Sequence, residues 1–263
     1  MTTLNKNLEN IKCALCGSDD AETLRKIPPW AYVKCLNCGL VYVNPRSRER
    51  AVQKVYEKNS FMSWFKKKTY ERRKMADLKN IGERLKRGET LMYEVTRYKR
   101  GGRLLDIGCN RGFIIANAAA WGWDAYGIEI VPWATKLVER EFPVKIFHNR
   151  LREINPPFED KFFDAVTMID IIEHFHEPVE DLKELRRILK DDGFLLLNTP
   201  NVGSAHARVM GYDWLFDKPE EHLYLYDRKT LQALLEKTGF EIIKIQQSKG
   251  APGEMEVHVK KRV

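Results

Sequence analysis

The chain has 263 residues, of which 43% are hydrophobic and 11% aromatic, and it carries a formal net charge of +8. This length suits one α/β domain with a small appendage, and the composition excludes an intrinsically disordered chain. The N-terminus MTTLNKNLENIK is polar and lacks the apolar core of a secretion signal. No apolar run approaches the roughly 20 residues that cross a bilayer. We therefore expect a cytoplasmic protein with no membrane span.

The first 45 residues carry four of the five cysteines. Cys13 and Cys16 form one pair and Cys35 and Cys38 a second, with two residues inside each pair and 18 between the pairs. A glycine follows each pair and lets the backbone turn tightly. This spacing is typical of a structural zinc site with four thiolate ligands, whereas disulfides, the alternative, are disfavoured in the cytoplasm. We predict a zinc ribbon over residues 1–45, with the metal supplying much of its folding energy.

Residues 46–100 are predicted to form a basic helical linker or cap, because Gly and Pro are few while Lys, Arg, Glu and Leu are frequent. Positions 46–103 hold 19 Lys/Arg against 7 Asp/Glu, which leaves 26 against 30 in the rest of the chain. The basic surplus therefore belongs to this segment. It indicates either a solvated helical face or a surface for an anionic substrate, nucleic acid or lipid headgroups.

From residue 101 to residue 263, strands and helices alternate. Apolar runs predict strands at 103–107, 124–128, 144–147, 163–169 and 193–198. Helices are predicted near 111–121, 132–141, 178–190 and 227–238, and two further strands around a Gly/Pro turn close the chain. Such alternation predicts an α/β fold with a Rossmann-like, doubly wound and mostly parallel sheet. Residues 201–226 form an insertion after the fifth strand.

The stretch RLLDIGCNRGF at 103–113 joins the first strand to a helix through a glycine loop. Gly108 and Gly112 lie four apart, so the loop lacks the three-glycine spacing that admits a pyrophosphate. Asp106 would repel a phosphate but attract ammonium or sulfonium charge. Glu129, 21 residues after Gly108, suits the two hydroxyls of a ribose. Ribose and positive charge without phosphate indicate S-adenosylmethionine, although helix capping is the alternative role for both acids.

At these residues the chain resembles the class I S-adenosylmethionine-dependent methyltransferases, from about residue 97 to the C-terminus. The resemblance implies a cofactor site formed by Glu129 and by the glycine motif, whose members are Asp106, Gly108, Cys109, Asn110 and Gly112. Asn110 stands where the family usually has glycine, and asparagine tolerates a left-handed backbone. Asn149 stands where the family often has an acid that meets the adenine, and it is the corresponding candidate here.

Two further stretches carry the resemblance. FDAVTMIDIIEH at 163–174 is similar to the fourth strand and the loop behind it, which implies Asp170 as a cofactor contact and makes Asp170 and His174 catalytic candidates. A structural role for His174 is the alternative. EHLYLYDRKTL at 221–231 is similar to a branch that methylates small molecules and saccharides, often with a zinc ribbon in front. Asn-Pro-Pro-Phe at 155–158 spells a tetrapeptide of amino-methyltransferases, but it precedes the fourth strand, and we interpret it as a loop.

The insertion leaves the carboxyl end of the fifth strand, where open α/β sheets bind ligands. Its aromatic and histidine side chains either line an acceptor site or only pack the insertion onto the sheet: His206, Tyr212, Trp214, Phe216, His222, Tyr224 and Tyr226. His222 is the candidate general base for a hydroxyl acceptor, because a neutral imidazole can take a proton near pH 7. We expect Glu220 or Glu221 to raise its pKa. The alternative is that His222 only pins the insertion.

These observations predict an enzyme that transfers a methyl group from S-adenosylmethionine to a small molecule or saccharide, with oxygen as the expected acceptor atom. The basic segment would suit an anionic acceptor. One alternative is an RNA methyltransferase whose ribbon and basic helices hold the phosphate backbone. Another is a cofactor-binding adaptor without catalytic activity.

Overall fold

The computed structural model describes residues 7–52, 70–131, 134–216, 218–249 and 251–262. These residues form two compact units. The first unit contains the described residues of 1–53, 168–186 and 197–263, and the second contains those of 54–167 and 187–196.

The N-terminal segment folds into short antiparallel strands. Strand β1 (Leu8–Glu9) pairs with β5 (Arg46–Ser47), whereas β2 (Ala21–Ile27), β3 (Trp30–Cys35) and β4 (Val41–Val43) form a meander. Strand β11 (Tyr224–Leu225) from the insertion pairs with β4, so the four-stranded sheet has the order β11-β4-β3-β2. Its buried core includes Tyr32, Val43, Leu215 and Leu225. The predicted ribbon segment therefore shares both a sheet and a core with the insertion.

Helix α1 spans Tyr70–Thr96. It accounts for most of the described part of the predicted basic helical segment, whose residues 53–69 lie outside the described residues. Arg46–Ser47, predicted as helical, is instead the strand β5, because its backbone pairs with β1. In the parts of the chain that the structure describes, no helix is both long enough and apolar enough to cross a membrane.

The other elements alternate as predicted. The strands are β6 (Arg103–Ile107), β7 (Asp124–Ile128), β8 (Lys145–Phe147), β9 (Phe163–Ile169), β10 (Leu189–Pro200), β12 (Phe240–Gln247) and β13 (Glu254–Lys261). The helices are α2 (Phe113–Ala120), α3 (Lys136–Glu141), α4 (Pro178–Ile188), α5 (Ala205–Met210) and α6 (Arg228–Lys237). Single 3-10 turns span Leu151–Glu153 and Ile172–His174.

Seven strands form the main sheet in the order β12-β13-β10-β9-β6-β7-β8. Strands β6, β7 and β8 pair in parallel, whereas β12 and β13 form an antiparallel hairpin. The α/β prediction is confirmed. Most residues of β6, β7 and β9 are buried, as expected of parallel strands that are covered on both faces.

Local signals explain most helix and strand ends. Pro178 opens α4, where its missing N–H has no partner to lose. Asp227 caps α6 in a capping box with Thr230, since each side chain accepts a hydrogen bond from the other residue's backbone N–H. Strand β10 is longer than predicted: Leu189 and Lys190, predicted to end a helix, instead begin the strand.

Candidate active site

The glycine loop follows β6 in the second unit. Gly108, Asn110 and Gly112 have φ angles of 72°, 48° and 74°, so these three residues of the motif adopt the left-handed conformation. A Cβ at Gly112 would collide with Val138, which adds a packing reason for glycine there. The backbone N–H groups of Gly108 and Cys109 both donate to the Ile128 carbonyl, at 2.8 and 2.9 Å. The loop is thus tied to the neighbouring strand.

Asp106 lies near the end of β6 and is only 3% exposed. Its Oδ1 accepts a hydrogen bond of 2.6 Å from the hydroxyl of Thr167. Burial raises the pKa of Asp106 to about 7, an effect that the Thr167 bond opposes and the nearby Glu129 reinforces. A buried carboxyl of this kind favours a ligand that brings positive charge, because such a charge stabilises the ionised form.

Glu129 follows β7 and is 9% exposed. Its Oε2 accepts a bond of 2.8 Å from the Asn110 N–H, and its Oε1 accepts one of 2.8 Å from the Val131 N–H. Burial raises the pKa of Glu129, and these two backbone bonds lower it. Each carboxylate oxygen keeps a second lone pair, so the side chain can still accept two donors.

The remaining predicted cofactor residues of this unit differ in burial. Cys109 is buried, and burial together with the nearby acids raises the pKa of its thiol. A Cβ at Gly127 would lie 2.8 Å from the Cys109 sulfur, so the thiol fills space that only a glycine leaves open. Asn149 is exposed, and its Nδ2 donates to the Glu153 carbonyl at 3.4 Å. The second unit therefore brings together the glycine loop and both predicted acids, with Asn149 at the surface.

The loop after β9 belongs to the first unit. Asp170 directly follows the strand in a left-handed conformation, with φ 56°, and its N–H donates to the Asn198 carbonyl at 3.0 Å. The 3-10 turn that follows carries Glu173 and His174. Glu173, His174 and His222 each contribute one carboxylate oxygen or ring nitrogen to a group of three atoms, which all lie within 4.8 Å of one another. The structure therefore gathers both predicted histidines in one cluster.

The two histidines are neutral at pH 7. Their ring centroids are 4.8 Å apart, and the Nδ1 of His174 donates to the Glu221 carbonyl at 2.8 Å. Burial, helped by His222, lowers the pKa of His174 to about 4, and burial, helped by Lys218, lowers that of His222 to about 4. The expectation that Glu220 or Glu221 raises the pKa of His222 is wrong, because desolvation outweighs any carboxylate nearby.

Glu173 was missed from the sequence. It is 1% exposed, its Oε2 accepts a bond of 2.9 Å from Thr199, and its Oε1 has no hydrogen-bond partner among the described residues. Burial, with help from Asp170, raises the pKa of Glu173 to about 8. The buried hydroxyl of Tyr226 also lacks a partner within the described ranges. The position of Glu173 directly before His174 was the available signal, but its burial could not be read from the sequence.

Several aromatic side chains of the insertion serve as packing. Tyr32 of β3 meets Phe216 with ring centroids 4.7 Å apart, and Tyr212 stacks on Phe216 with centroids 6.1 Å apart. Trp214 lies 5.5 Å from the ring of His206. These ring contacts agree with the packing interpretation. The indole N–H of Trp214, like the Nδ1 of His222 and the hydroxyl of Tyr226, has no hydrogen-bond partner among the described residues.

The four N-terminal cysteines form a compact cluster in the first unit. All four are free thiols whose sulfurs lie within 4.8 Å of one another, with two of the distances at 3.5 Å. Gly17 and Gly39 have φ angles of 76° and 81°, and their N–H groups donate to Cys13 and Cys35 carbonyls. Four sulfurs around one zinc ion would lie about 3.8 Å apart, so this cluster fits a tetrahedral metal.

The Asn-Pro-Pro-Phe stretch lies between the 3-10 turn Leu151–Glu153 and β9. Phe158 is 9% exposed and meets the rings of Phe163 and Phe147, at centroid distances of 4.9 and 5.0 Å. Its aromatic residue therefore closes a hydrophobic cluster of the second unit, which agrees with the loop interpretation.

Comparison with known proteins identifies the class. Residues 70–245 match the methyltransferase domain family, and the chain belongs to that family. A similar relative is the ubiquinone biosynthesis O-methyltransferase of Cereibacter sphaeroides, 29% identical over 128 residues, which cover 44% of this chain and 49% of the relative. The mitochondrial enzyme of the same name from Schizosaccharomyces pombe is 28% identical over 116 residues, or 41% of this chain and 42% of the relative. The chain spans about half the length of the curated relatives it matches.

Solved structures share the fold. A SAM-dependent methyltransferase from Archaeoglobus fulgidus has a TM-score of 0.54 at 19% identity, covering 66% of this chain and 92% of its own. The 1,6-didemethyltoxoflavin-N1-methyltransferase of Burkholderia thailandensis, solved with S-adenosylhomocysteine, has a TM-score of 0.58 at 15% identity and covers 92% of this chain and 100% of its own. The chain thus belongs to the methyltransferase domain family and shares the fold of these solved methyltransferases.

Proposed function

We propose that this methyltransferase acts on an oxygen of a small molecule or saccharide. The observation that carries the proposal is the Nδ1 of His222, a buried, neutral nitrogen without a hydrogen-bond partner among the described residues. A group of this kind can take the proton that a hydroxyl acceptor must lose. The O-methyltransferase names of the relatives support oxygen as the acceptor atom.

The second unit would hold the cofactor. When bound, S-adenosylmethionine supplies an electrophilic methyl group on a positively charged sulfur. Asp106 would balance positive charge on the ligand, and the free lone pairs of Glu129 would accept the ribose hydroxyls. The residues of this unit proposed for the site are Asp106, Gly108, Cys109, Asn110, Gly112, Glu129 and Asn149.

The first unit would handle the acceptor. His222 would take the hydroxyl proton through its Nδ1, which has no partner among the described residues. His174 lies beside His222, with its Nδ1 already committed to the Glu221 carbonyl. Aligning the acceptor with the methyl group is the main task of such an enzyme, because the reaction is an in-line displacement.

The cysteine cluster would hold one zinc ion. Four thiols of Cys13, Cys16, Cys35 and Cys38 suit this metal, and they would fill its tetrahedral coordination. With no coordination position left for a substrate, such an ion stabilises the fold and takes no part in the reaction.

Methyl transfer from radiolabelled S-adenosylmethionine to a metabolite extract and to total RNA tests the function. We expect label in the small-molecule fraction. His222→Asn should lower the rate roughly 100-fold while leaving cofactor affinity unchanged, because asparagine cannot act as a base at neutral pH. His206→Asn is the matched control, since His206 lies in the same insertion but packs against Trp214.

Other results of these experiments would favour a different function or a different catalytic residue. Label in RNA alone would favour the nucleic-acid alternative, and cofactor binding without any transfer would favour the adaptor. Near-normal turnover of His222→Asn would remove His222 from the mechanism and direct attention to Asp170, His174 and Tyr224.

A further inference from the structure

The backbone around His222 is held by the N-terminal hairpin of β3 and β4. The Tyr32 hydroxyl of β3 donates to the His222 carbonyl at 3.2 Å. The Val43 N–H of β4 donates to the carbonyl of the next residue, Leu223, at 2.9 Å. One residue further, Tyr224 of β11 pairs with Tyr42 of β4. Three consecutive residues of the insertion are thus anchored to the N-terminal hairpin.

The opposite side of the same segment is tied to the 3-10 turn. The Leu223 N–H donates to the Glu173 carbonyl at 2.8 Å, and the Glu221 carbonyl accepts from the His174 ring at 2.8 Å. The His222 N–H donates to the Lys218 carbonyl at 2.8 Å. The Nδ1 of His222 lacks a partner within the described residues. The direction of the ring is therefore set largely by these backbone anchors.

The hairpin that anchors His222 also carries two of the cysteines. Cys35 is the last residue of β3, and Cys38 lies in the turn that leads to β4. The Cys35 N–H donates to the Leu40 carbonyl at 2.9 Å, and the Gly39 N–H donates back to the Cys35 carbonyl at 2.9 Å. Tyr32 is fully buried three residues before Cys35. The same short hairpin therefore connects the cysteine cluster with the candidate base.

We propose that the N-terminal hairpin positions His222 for catalysis, with Tyr32 as a positioning residue that acts through the His222 carbonyl. Tyr32 itself does not touch the acceptor. The inference rests on the proposed role of His222, and it adds that the cysteine-bearing segment determines where the base lies. A displacement of about 1 Å at such a group is enough to reduce turnover strongly.

Tyr32→Phe, with Tyr42→Phe as its matched control, tests the proposal. Both changes remove one buried hydroxyl from neighbouring strands and keep the ring, but the Tyr42 hydroxyl makes no hydrogen bond within the described residues. Ring signals of the six histidines are followed by NMR over pH 3 to 9, and the His222 signal is identified by its loss in His222→Asn. Among the described residues, Lys218, His174 and Glu173 are the charged or titratable groups found beside this ring.

We expect Tyr32→Phe to shift the His222 signal and to move its pKa from about 4 towards the ordinary value, because water reaches a loosened segment. Methyl transfer to the extract should fall about 5-fold to 10-fold, with cofactor affinity within about 2-fold of the original. Tyr42→Phe should leave the His222 signal in place. If the two variants shift this signal equally, or neither does, the positioning role is overturned.

Amide hydrogen exchange tests the proposal even if the Tyr32→Phe variant does not fold. In the full chain, Cys38→Ser should speed exchange at 41–43 and 218–225 by about 10-fold or more and leave 124–128 unchanged. Cys109→Ser, which changes the cysteine outside the cluster, is the control. Unchanged exchange at 218–225 in Cys38→Ser would contradict the proposal.

The proposed function and this inference fail in different ways. If His222→Asn keeps normal turnover while Tyr32→Phe still moves the His222 signal, the hairpin positions a residue that is not the base. The positioning then stands and the catalytic assignment falls. If His222→Asn loses turnover while Tyr32→Phe leaves both signal and rate unchanged, the base stands and the positioning falls.

Discussion

At the scale of single residues, burial governs the chemistry of the two carboxyl groups, Asp106 and Glu173. Asp106 accepts a side-chain bond from Thr167, and burial raises its pKa to about 7. Glu173, likewise bonded by Thr199, reaches about 8. In both, desolvation outweighs the stabilising hydrogen bond. Each group can therefore gain or lose a proton near neutral pH when a charged ligand arrives.

The raised pKa of Asp106 makes cofactor binding depend on pH. A cationic ligand favours the ionised carboxylate, so binding should release a proton wherever Asp106 is protonated in the free protein. Affinity for S-adenosylmethionine should rise with pH up to about 7, by at most about 10-fold per pH unit, and then level off. Calorimetric titrations between pH 5.5 and 8.5 in two buffers measure affinity and proton release.

Asp106→Asn should flatten that profile and weaken the binding of S-adenosylmethionine. S-adenosylhomocysteine should lose less affinity, because it lacks the sulfonium charge. An identical pH profile in the variant would remove Asp106 from the site.

Glu129 should contribute more affinity than any other single side chain of the second unit. Glu129→Ala should cost about 2–4 kcal/mol of S-adenosylmethionine affinity, from two charge-assisted bonds to the ribose and from a loosened Asn110 N–H. Calorimetric titration measures the change, with the exposed Glu153→Ala as control. Equal affinity of Glu129→Ala and Glu153→Ala would refute the assignment.

At the scale of elements, two short hairpin turns bring the four cysteines together. In each, a glycine after the pair adopts positive φ and its N–H returns to the first cysteine's carbonyl, at 2.7 Å for Gly17 and 2.9 Å for Gly39. The two turns gather the four thiols into one group that could hold a metal ion.

Elemental analysis should find one zinc per chain. Cys13→Ser and Cys38→Ser should each lose it, because an alcohol is a far poorer zinc ligand than a thiolate. Cys109→Ser should retain the metal, since Cys109 lies outside the cluster. Zinc that persists in both cluster variants, or is absent from the unaltered protein, would contradict the four-thiolate site.

At the scale of the whole molecule, the candidate metal site and the candidate cofactor site belong to different units. The cysteine cluster lies in the first unit, whereas the glycine loop and both predicted cofactor acids lie in the second. The first unit is assembled from three separate stretches of chain, so its stability depends on contacts between residues far apart in sequence.

Removal of the metal with a strong chelator should lower the stability of the fold but leave the cofactor affinity nearly unchanged. The unfolding midpoint should fall by about 10 °C or more, because metal binding contributes folding free energy. Affinity for S-adenosylmethionine should stay within about 3-fold, since the proposed contacts are concentrated in the second unit. Scanning calorimetry and titration measure the two. Lost affinity in a protein whose second unit remains folded would show that the ribbon contributes to the cofactor site.

Local patterns allowed much of the fold to be read from the sequence. The strands at 103–107, 124–128 and 163–169 have the predicted bounds, because apolar runs between glycine-rich or polar turns are short-range signals. Gly108 and Gly112 were recognised for the same reason, since their left-handed backbone is a local requirement. The methyltransferase class followed from these positions together with Asp106 and Glu129.

The tertiary structure decided what depends on distant neighbours. The pairing of β11 with β4 joins Tyr224 to Tyr42 across most of the chain, and no short-range pattern specifies such a partner. The direction of the pKa shift of His222 was mispredicted because the shift depends on burial of the ring. Glu221 is next to His222 in the sequence, but adjacency in the backbone does not determine how a side chain is buried. Glu173 was missed for the same physical reason: a carboxyl becomes chemically unusual only when folding removes its water.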